Sequence, residues 1–147
     1  MNVFVDSGVL LRLVVPSTDG HDAARRAIKV LRGRGDRLVA LTQNAAEFWN
    51  VCTRPTSVRG GFGLSIETTA RKLRLIQRLV QIRSDSDAIF NEWKRLVVAY
   101  SVRGVQAHDA RIVAAMSVYG IANLLTFNAA DFRRYSEVTV LAPSDVQ

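Results

Sequence analysis

Four carboxylates occupy positions from which their side chains can reach one cleft of an α/β domain. Asp6 directly follows a short apolar segment, and Asp131 follows another after a short turn. Asp109 continues the apolar stripe of a predicted helix, and Glu47 lies on the apolar face of a helix after the second strand. Strand-to-helix junctions of a parallel sheet meet at its carboxyl edge, where ligands bind in this architecture. We therefore expect these four side chains to converge in one cleft.

Converging carboxylates raise one another's pKa unless a cation compensates their charge. Oxygen ligands suit Mg²⁺ or Mn²⁺, whereas one cysteine and two histidines argue against zinc. Asp6 and Asp109 are predicted to bind the metal directly. Glu47 and Asp131 either bind it, act through water or serve as a general base. An acidic metal pocket in a basic protein suits hydrolysis of a phosphodiester bond.

Each of three acids also has a purely structural interpretation. Asp6 is suited to capping the helix that it precedes. Asn128 and Asp131 resemble a capping pair at a helix start, and Asp109 would complement the dipole of its helix. Each interpretation suffices for one residue, but together they leave the convergence of the acids unexplained.

The elements that must position these acids alternate between short strands and amphipathic helices. This pattern predicts a single domain over residues 1–147, a three-layer α/β/α sandwich around a mainly parallel five-stranded sheet. Asp19 or a neighbour is expected to cap the second helix, which ends near Gly33. The predicted strands are 2–5, 38–41, 79–82, 123–127 and 138–141, and the other helices are 9–15, 43–54, 65–76, 85–101, 107–119 and 128–133.

The charge balance points to a partner. The chain has 20 basic and 13 acidic residues, and only Lys29, Lys72 and Lys94 are lysines. Arginine binds phosphate bidentately and stacks on bases, which favours nucleic acid, although surface ion pairing explains the charge equally well. No apolar run reaches the roughly 20 residues of a membrane span, and the first residues lack signal-peptide features. We expect a cytoplasmic protein without membrane contact.

Two arginines are candidate ligands of a nucleic acid. Arg54 ends the helix that carries Glu47, where it either reaches a phosphate or a carboxylate of a partner protein, or complements the helix dipole. Arg59 opens a glycine-rich loop (RGGFG) that suits single-stranded RNA, although an ordinary surface loop fits equally well. His108 is interpreted as structural or as supporting the neighbouring Asp109.

Four segments of the chain resemble, in order, the motifs of PIN-domain ribonucleases, and especially the VapC toxins of bacterial toxin–antitoxin systems. The likeness extends over essentially the whole chain, and the last segment is the most specific. The segments are 5–11 (VDSGVLL), the stretch starting at Glu47 (EFWNV), 108–115 (HDARIVAA) and 126–132 (TFNAADF).

This resemblance implies a phosphodiesterase that cuts RNA (tRNA, rRNA or mRNA) with one or two Mg²⁺ or Mn²⁺ ions. It also implies a homodimer and a small antitoxin that occludes the site. The family's metal-site acids correspond to Asp6, Glu47, Asp109 and Asp131. Its polar helpers correspond to Ser7 and to Asn128 or Thr126. The chain departs from the family at Gly8, where a polar residue is common.

Two rival functions compete with this prediction. The first is phosphotransfer through a covalent aspartyl phosphate: haloacid-dehalogenase-like phosphatases need a second acid two positions after the first, and Gly8 occupies that position. These phosphatases and the receiver domains also place a lysine near the phosphate, and none of the three lysines follows a strand. A non-catalytic RNA-binding module that retains the fold stays open as the alternative. Such a module is expected to lose one or more of the acids, and all four are present.

Overall fold

A five-stranded sheet lies at the centre of the structure, a computed structural model that describes residues 1–147. The strands are β1 (Asn2–Val5), β2 (Arg37–Leu41), β3 (Gln81–Arg83), β4 (Asn123–Leu125) and β5 (Thr139–Leu141). Their spatial order is β3-β2-β1-β4-β5, and every neighbouring pair is parallel. Because β1 is central, the turn after it lies beside the turns after β2 and β4.

Helices connect consecutive strands, as a parallel sheet requires. None combines the length and the apolar character needed to cross a bilayer. The helices are α1 (Ser7–Val14), α2 (His21–Gly33), α3 (Thr42–Thr53), α4 (Ile66–Leu79), α5 (Asp87–Ala99), α6 (Gln106–Val118) and α7 (Ala129–Phe132), with a final 3₁₀ turn at Pro143–Asp145.

Apolar side chains of the strands face two separate cores because successive residues of a strand point to opposite faces. Val3 and Val5 join the core beneath α1–α4, whereas Phe4 joins the core beneath α5 and α6. All three are fully buried. The predicted three-layer α/β/α sandwich is therefore confirmed, and its sheet is entirely parallel.

The N-cap of α2 falls on a neighbour of Asp19, as expected: Gly20 holds this position in a left-handed conformation (φ 83°), without a side-chain hydrogen bond. One helix start differs from the prediction. The helix predicted to start at Asp85 starts at Asp87, because the Ser86 hydroxyl accepts a hydrogen bond from the backbone N of Ile89.

Two strands also differ from the prediction. The segment 79–82 was expected to form one strand, but Leu79 still belongs to α4 and the strand begins at Gln81. The strand expected over 123–127 ends at Leu125. The chain turns at Thr126, whose hydroxyl accepts a hydrogen bond from the backbone N of Asn128. This early turn aims the Thr126 side chain at the edge of the sheet.

Candidate functional site

Asp6 lies at the junction of β1 and α1 and is 9% exposed. Its Oδ1 accepts a hydrogen bond from the Ser7 backbone N (2.8 Å), and its Oδ2 accepts one from the Thr126 hydroxyl (2.7 Å). β1 and β4 are paired, so the ends of these strands bring Asp6 and the fully buried Thr126 together. Asp6 therefore occupies the N-cap position, as its structural interpretation holds, and also faces the carboxyl edge.

Glu47 reaches the same edge from α3 and is held through both carboxylate oxygens. The Ser7 hydroxyl donates to Oε2, and the Gln43 side-chain amide donates to Oε1 (2.9 Å). Ser7 in turn accepts a hydrogen bond from the fully buried Asn44 (3.0 Å). These contacts tie the carboxylate of α3 to the first residue of α1.

Asp109 lies half-buried in the first turn of α6. Ile112, Val113 and Met116, which share its face of the helix, are buried in the core, as their spacing predicted. The carboxylate therefore continues the inner face of α6 beyond the core.

Asp131 lies in α7 with an exposed side chain. Asn128 holds the N-cap position of α7, but its side chain makes no capping hydrogen bond. The interpretation of these two residues as a capping pair is therefore wrong. Of the two predicted helpers in this segment, Thr126 contacts an acid of the site, whereas the Asn128 side chain is exposed.

Burial and neighbouring charges act on the carboxyl group of Asp6. Loss of solvent is the largest cause and raises its pKa above the ordinary value, and the charges of Glu47 and Asp131 raise it further. Hydrogen bonds from Thr126 and the Ser7 backbone oppose this rise but do not cancel it.

The same causes raise the pKa of Asp109 to about 6. Burial contributes most, followed by the charges of Asp6, Asp131 and Glu47, while His108 opposes the rise. These mutual effects show that the structure brings the four predicted acids into one electrostatic cluster.

No lysine or arginine forms an ion pair with any of these four carboxylates. Every ion pair in the structure involves another acid, so no ion pair within the protein offsets the charge of the cluster. The pairs join the N-terminal amine of Met1 to Asp36, Arg95 to Glu92 and Arg111 to Asp85.

The donor set fits a hard divalent cation in chemistry and charge, because it consists of carboxylates that repel one another. In the present side-chain orientations, however, no group of three His, Cys, Asp or Glu residues has the geometry to hold a metal ion. Two of the acids, Asp6 and Glu47, are turned toward hydrogen-bond donors of the protein.

The cavities of the structure differ in whether they border the acidic cluster. A cavity of about 280 Å³ borders Ser7 and Glu47. The largest cavity, about 650 Å³, lies along α2 and contains none of the four acids. The charge and position of the acids, rather than cavity size, mark the candidate site.

Three polar residues support the site without having been predicted from the sequence: Gln43, Asn44 and Arg111. Gln43 lies four residues before Glu47, a spacing that places both on one helix face, so this pattern could have revealed it. Asn44 and Arg111 contact Ser7 and Gln43 across long separations in the chain, and no local signal announces such contacts.

The structure places Arg54 and Arg59 in the loop that follows α3. Arg54 donates a hydrogen bond to the backbone oxygen of Arg59 (2.6 Å), so its guanidinium braces the loop. Arg59 is exposed and adopts a positive φ of 43°. Neither arginine has a hydrogen bond or ion pair with the acidic cluster, and their predicted contact with RNA stays a prediction.

Comparison with known structures reveals the same fold in toxin–antitoxin complexes. A chain of VapBC2 from Rickettsia felis, bound to a promoter DNA fragment, matches with a TM-score of 0.74 at 13% identity, covering 97% of this chain and 98% of that one. VapBC-1 from nontypeable Haemophilus influenzae matches with a TM-score of 0.68 at 17% identity, covering 98% and 99%.

A third match is VapC20 from Mycobacterium tuberculosis, a toxin that cleaves the sarcin-ricin loop. Its TM-score is 0.61 at 18% identity, and the match covers 83% of this chain and 86% of that one. At such identities the likeness concerns the fold. No functionally curated protein matches the sequence. The family assignment comes instead from the sequence profile, which matches the PIN domain over residues 3–138. The order of strands, the acidic carboxyl edge and this match agree, and the chain belongs to the PIN domain family.

Proposed function

We propose that the chain is a metal-dependent endoribonuclease that hydrolyses phosphodiester bonds in RNA. The observation that carries the proposal is the cluster of four carboxylates without an ion-pair partner, in which the pKa of Asp109 rises to about 6. Membership of the PIN domain family and the fold shared with a toxin that cleaves the sarcin-ricin loop support it.

Asp6, Asp109 and Asp131 are the proposed ligands of Mg²⁺ or Mn²⁺. When bound, the metal lowers the pKa of a water molecule and stabilises negative charge on the phosphoryl oxygens. Asp6 keeps its orientation through Ser7 and Thr126, so its position changes least on metal binding. Asp131 is exposed and free to turn toward the cleft.

Glu47 is the proposed acceptor of a proton from water, because its orientation is set from both sides by Ser7 and Gln43. A carboxylate held in this way accepts a proton from a water molecule without first reorganising. The basic remainder of the surface attracts the phosphate backbone, as expected of a chain with a net charge of +7.

The experiment is cleavage of defined RNAs by the purified protein. Fragments of tRNA and rRNA, including a sarcin-ricin loop, are incubated with Mg²⁺, Mn²⁺ or EDTA. We expect cleavage with either metal, none with EDTA, and a loss of about 10²-fold or more in Asp6→Asn and Asp109→Asn.

Asp87→Asn is the matched control, because Asp87 also lies in the first turn of a helix but outside the cluster. This variant should cleave at the wild-type rate. RNA binding without cleavage under every metal condition would reject the proposal in favour of a non-catalytic RNA-binding module.

We further propose that the protein is the toxin of a toxin–antitoxin pair, with an antitoxin segment whose arginine pairs with the acidic cluster. The folds shared with VapBC complexes support this partner. Co-expression with the adjacent gene products should yield a complex that does not cleave RNA. Full activity in the presence of every such product would reject the toxin role.

A homodimer in the cytoplasm completes the proposal. Phe90, Val98 and Val105 are large apolar side chains exposed on and near α5, at 56%, 80% and 81%. Such exposure favours contact with a second protein surface. Light scattering after gel filtration should give twice the mass of one chain, 16.3 kDa. A single-chain mass at micromolar concentration would reject the dimer.

A further inference from the structure

Gln43 lies between two of the acids and uses its whole side-chain amide. The amide nitrogen donates to Glu47 Oε1 (2.9 Å) and to the backbone oxygen of His108 (3.2 Å), the residue before Asp109. The amide oxygen accepts a hydrogen bond from Arg111 Nη1 (3.2 Å). A side-chain amide has two N–H donors and one carbonyl acceptor, so all of its groups are engaged and its orientation is defined.

Arg111 extends this arrangement outward from the cluster. Its guanidinium lies between the Gln43 carbonyl and the carboxylate of Asp85, with which it forms an ion pair. Both side chains of that pair are more than one-third exposed. Exposed ion pairs contribute about 0–1 kcal/mol to stability, so the pair matters little for holding the fold together. Its clearest structural effect is to fix the guanidinium against Gln43.

We infer that Gln43, oriented by Arg111, is a positioning residue that fixes the Glu47 carboxylate and ties it to the first turn of α6, where Asp109 lies. The inference rests on the proposed ribonuclease function and extends it to residues outside the acidic cluster. The contact with His108 joins α3 to α6, so one side chain sets the spacing between two acids that come from different helices.

Electrostatics explains why an amide suits this place. A cation beside Glu47 would neutralise the cluster and compete with a metal ion, whereas the neutral amide orients the carboxylate without adding charge. Arg111 keeps its positive charge one residue farther out, paired with Asp85. Removal of the amide leaves Glu47 with Ser7 as its other donor, so its carboxylate is free to swing.

The test compares Gln43→Leu, Gln43→Glu and Arg111→Met with the wild type. We expect Gln43→Leu to lower kcat by about 10- to 100-fold, the range for residues that orient metal-site groups, while KM for RNA changes by less than about 3-fold. Gln43→Glu should be at least as impaired, because it cannot donate to Glu47 and adds a like charge. Arg111→Met should also lower kcat, and Arg111→Lys should restore part of that loss.

Two matched controls lie outside the network: Gln77→Leu on the exposed face of α4, and Arg103→Met in an exposed loop. Both should retain wild-type kcat. The melting temperature of every variant is measured alongside, since a positioning role predicts slow turnover by a protein that is still folded.

A double variant and a metal-binding measurement decide the outcome. At saturating Mn²⁺, adding Gln43→Leu to Glu47→Gln causes little further loss of kcat if Gln43 acts through Glu47, whereas independent roles multiply the losses. Calorimetric titration with Mn²⁺ should show about 10-fold weaker binding to Gln43→Leu, because loss of the contact with His108 frees the first turn of α6, which carries the proposed ligand Asp109. Wild-type kcat in Gln43→Leu, or multiplying losses, would overturn the inference. If the wild-type protein cleaves no RNA, the ribonuclease proposal fails. In that case the Mn²⁺ titration still tests the inference, because equal Mn²⁺ affinities of Gln43→Leu and the wild type would overturn it.

Discussion

Single residues of the cluster combine a local role with a role in the site. Asp6 accepts a hydrogen bond from the first residue of α1 and another from Thr126, so one carboxylate both starts a helix and faces the carboxyl edge. Asparagine also caps helices well. Asp6→Asn therefore separates the two roles, because it retains the cap while it removes one negative charge.

The charge of Asp109 has a consequence for stability without metal. Its pKa rises from 3.8 to about 6 in the folded protein, so the folded state holds this proton more tightly than the unfolded state. The stability that the proton contributes is complete below about pH 4 and is lost as the pH rises through 6. In EDTA, Asp109→Asn should thus melt at a higher temperature than the wild type at about pH 7, and the difference should vanish near pH 4.

Asp87→Asn serves as the control for this measurement, because Asp87 is also a first-turn acid but lies outside the cluster. Its melting temperature should not show the same gain between about pH 4 and 7. A lower melting temperature for Asp109→Asn than for the wild type at neutral pH would show that Asp109 stabilises its helix more than the other acids repel it.

Asp131 offers the clearest contrast between catalysis and helix capping. Asp131→Asn should lower the cleavage rate by about 10²–10⁴-fold with little change in melting temperature, because the side chain is exposed and caps nothing. Turnover is measured at low and at saturating Mn²⁺ on one preparation. Full activity at low Mn²⁺ with a loss of about 1 kcal/mol of stability would instead assign the residue to the helix.

In the loop between α3 and α4, the backbone at Gly61 packs closely against the backbone at Arg54 and Pro55. A Cβ on Gly61 would lie 2.4 Å from the Arg54 oxygen and 2.5 Å from the Pro55 oxygen, both backbone atoms. Gly61→Ala should therefore destabilise the protein by about 1–3 kcal/mol through forced backbone shifts. The free energy of unfolding in urea measures the effect.

Gly33→Ala is the opposite case, because a Cβ added there would meet no atom within 4 Å and the residue ends α2. This variant should gain up to about 1 kcal/mol, since alanine loses less backbone entropy than glycine on folding. If Gly61→Ala and Gly33→Ala had equal free energies of unfolding, the loop between α3 and α4 would have moved to make room for the methyl group at position 61.

At the scale of the whole molecule, a small acidic cluster lies in a protein whose net charge is +7. RNA affinity should therefore depend steeply on salt, because each phosphate contact releases counterions. With three or four phosphate contacts, binding of a single-stranded RNA to Asp109→Asn should weaken roughly 20- to 50-fold between 50 and 200 mM salt. Affinity that is independent of salt would mean that the arginines do not contact phosphates.

The sheet, the helices and the four acids were predictable from the sequence because their signals are local. Alternating and helical patterns of apolar residues arise within a few positions, and Asp6 directly follows the strand that it ends. Boundaries were less predictable. Thr126 turns the chain early through a hydrogen bond within its own loop, although threonine and phenylalanine both favour a strand.

The family resemblance indicated Ser7 and Thr126 as polar helpers, but the long-range partners of the hydrogen bonds that orient the acids were decided by tertiary structure. Ser7 and Glu47 are 40 residues apart, Gln43 and Arg111 are 68 apart, and Asp6 and Thr126 are 120 apart. No periodicity connects such positions, because their contacts exist only after the strands pair and the helices pack on the sheet. The sequence alone determined which carboxylates meet at the carboxyl edge, and packing decided which neutral side chains hold them there.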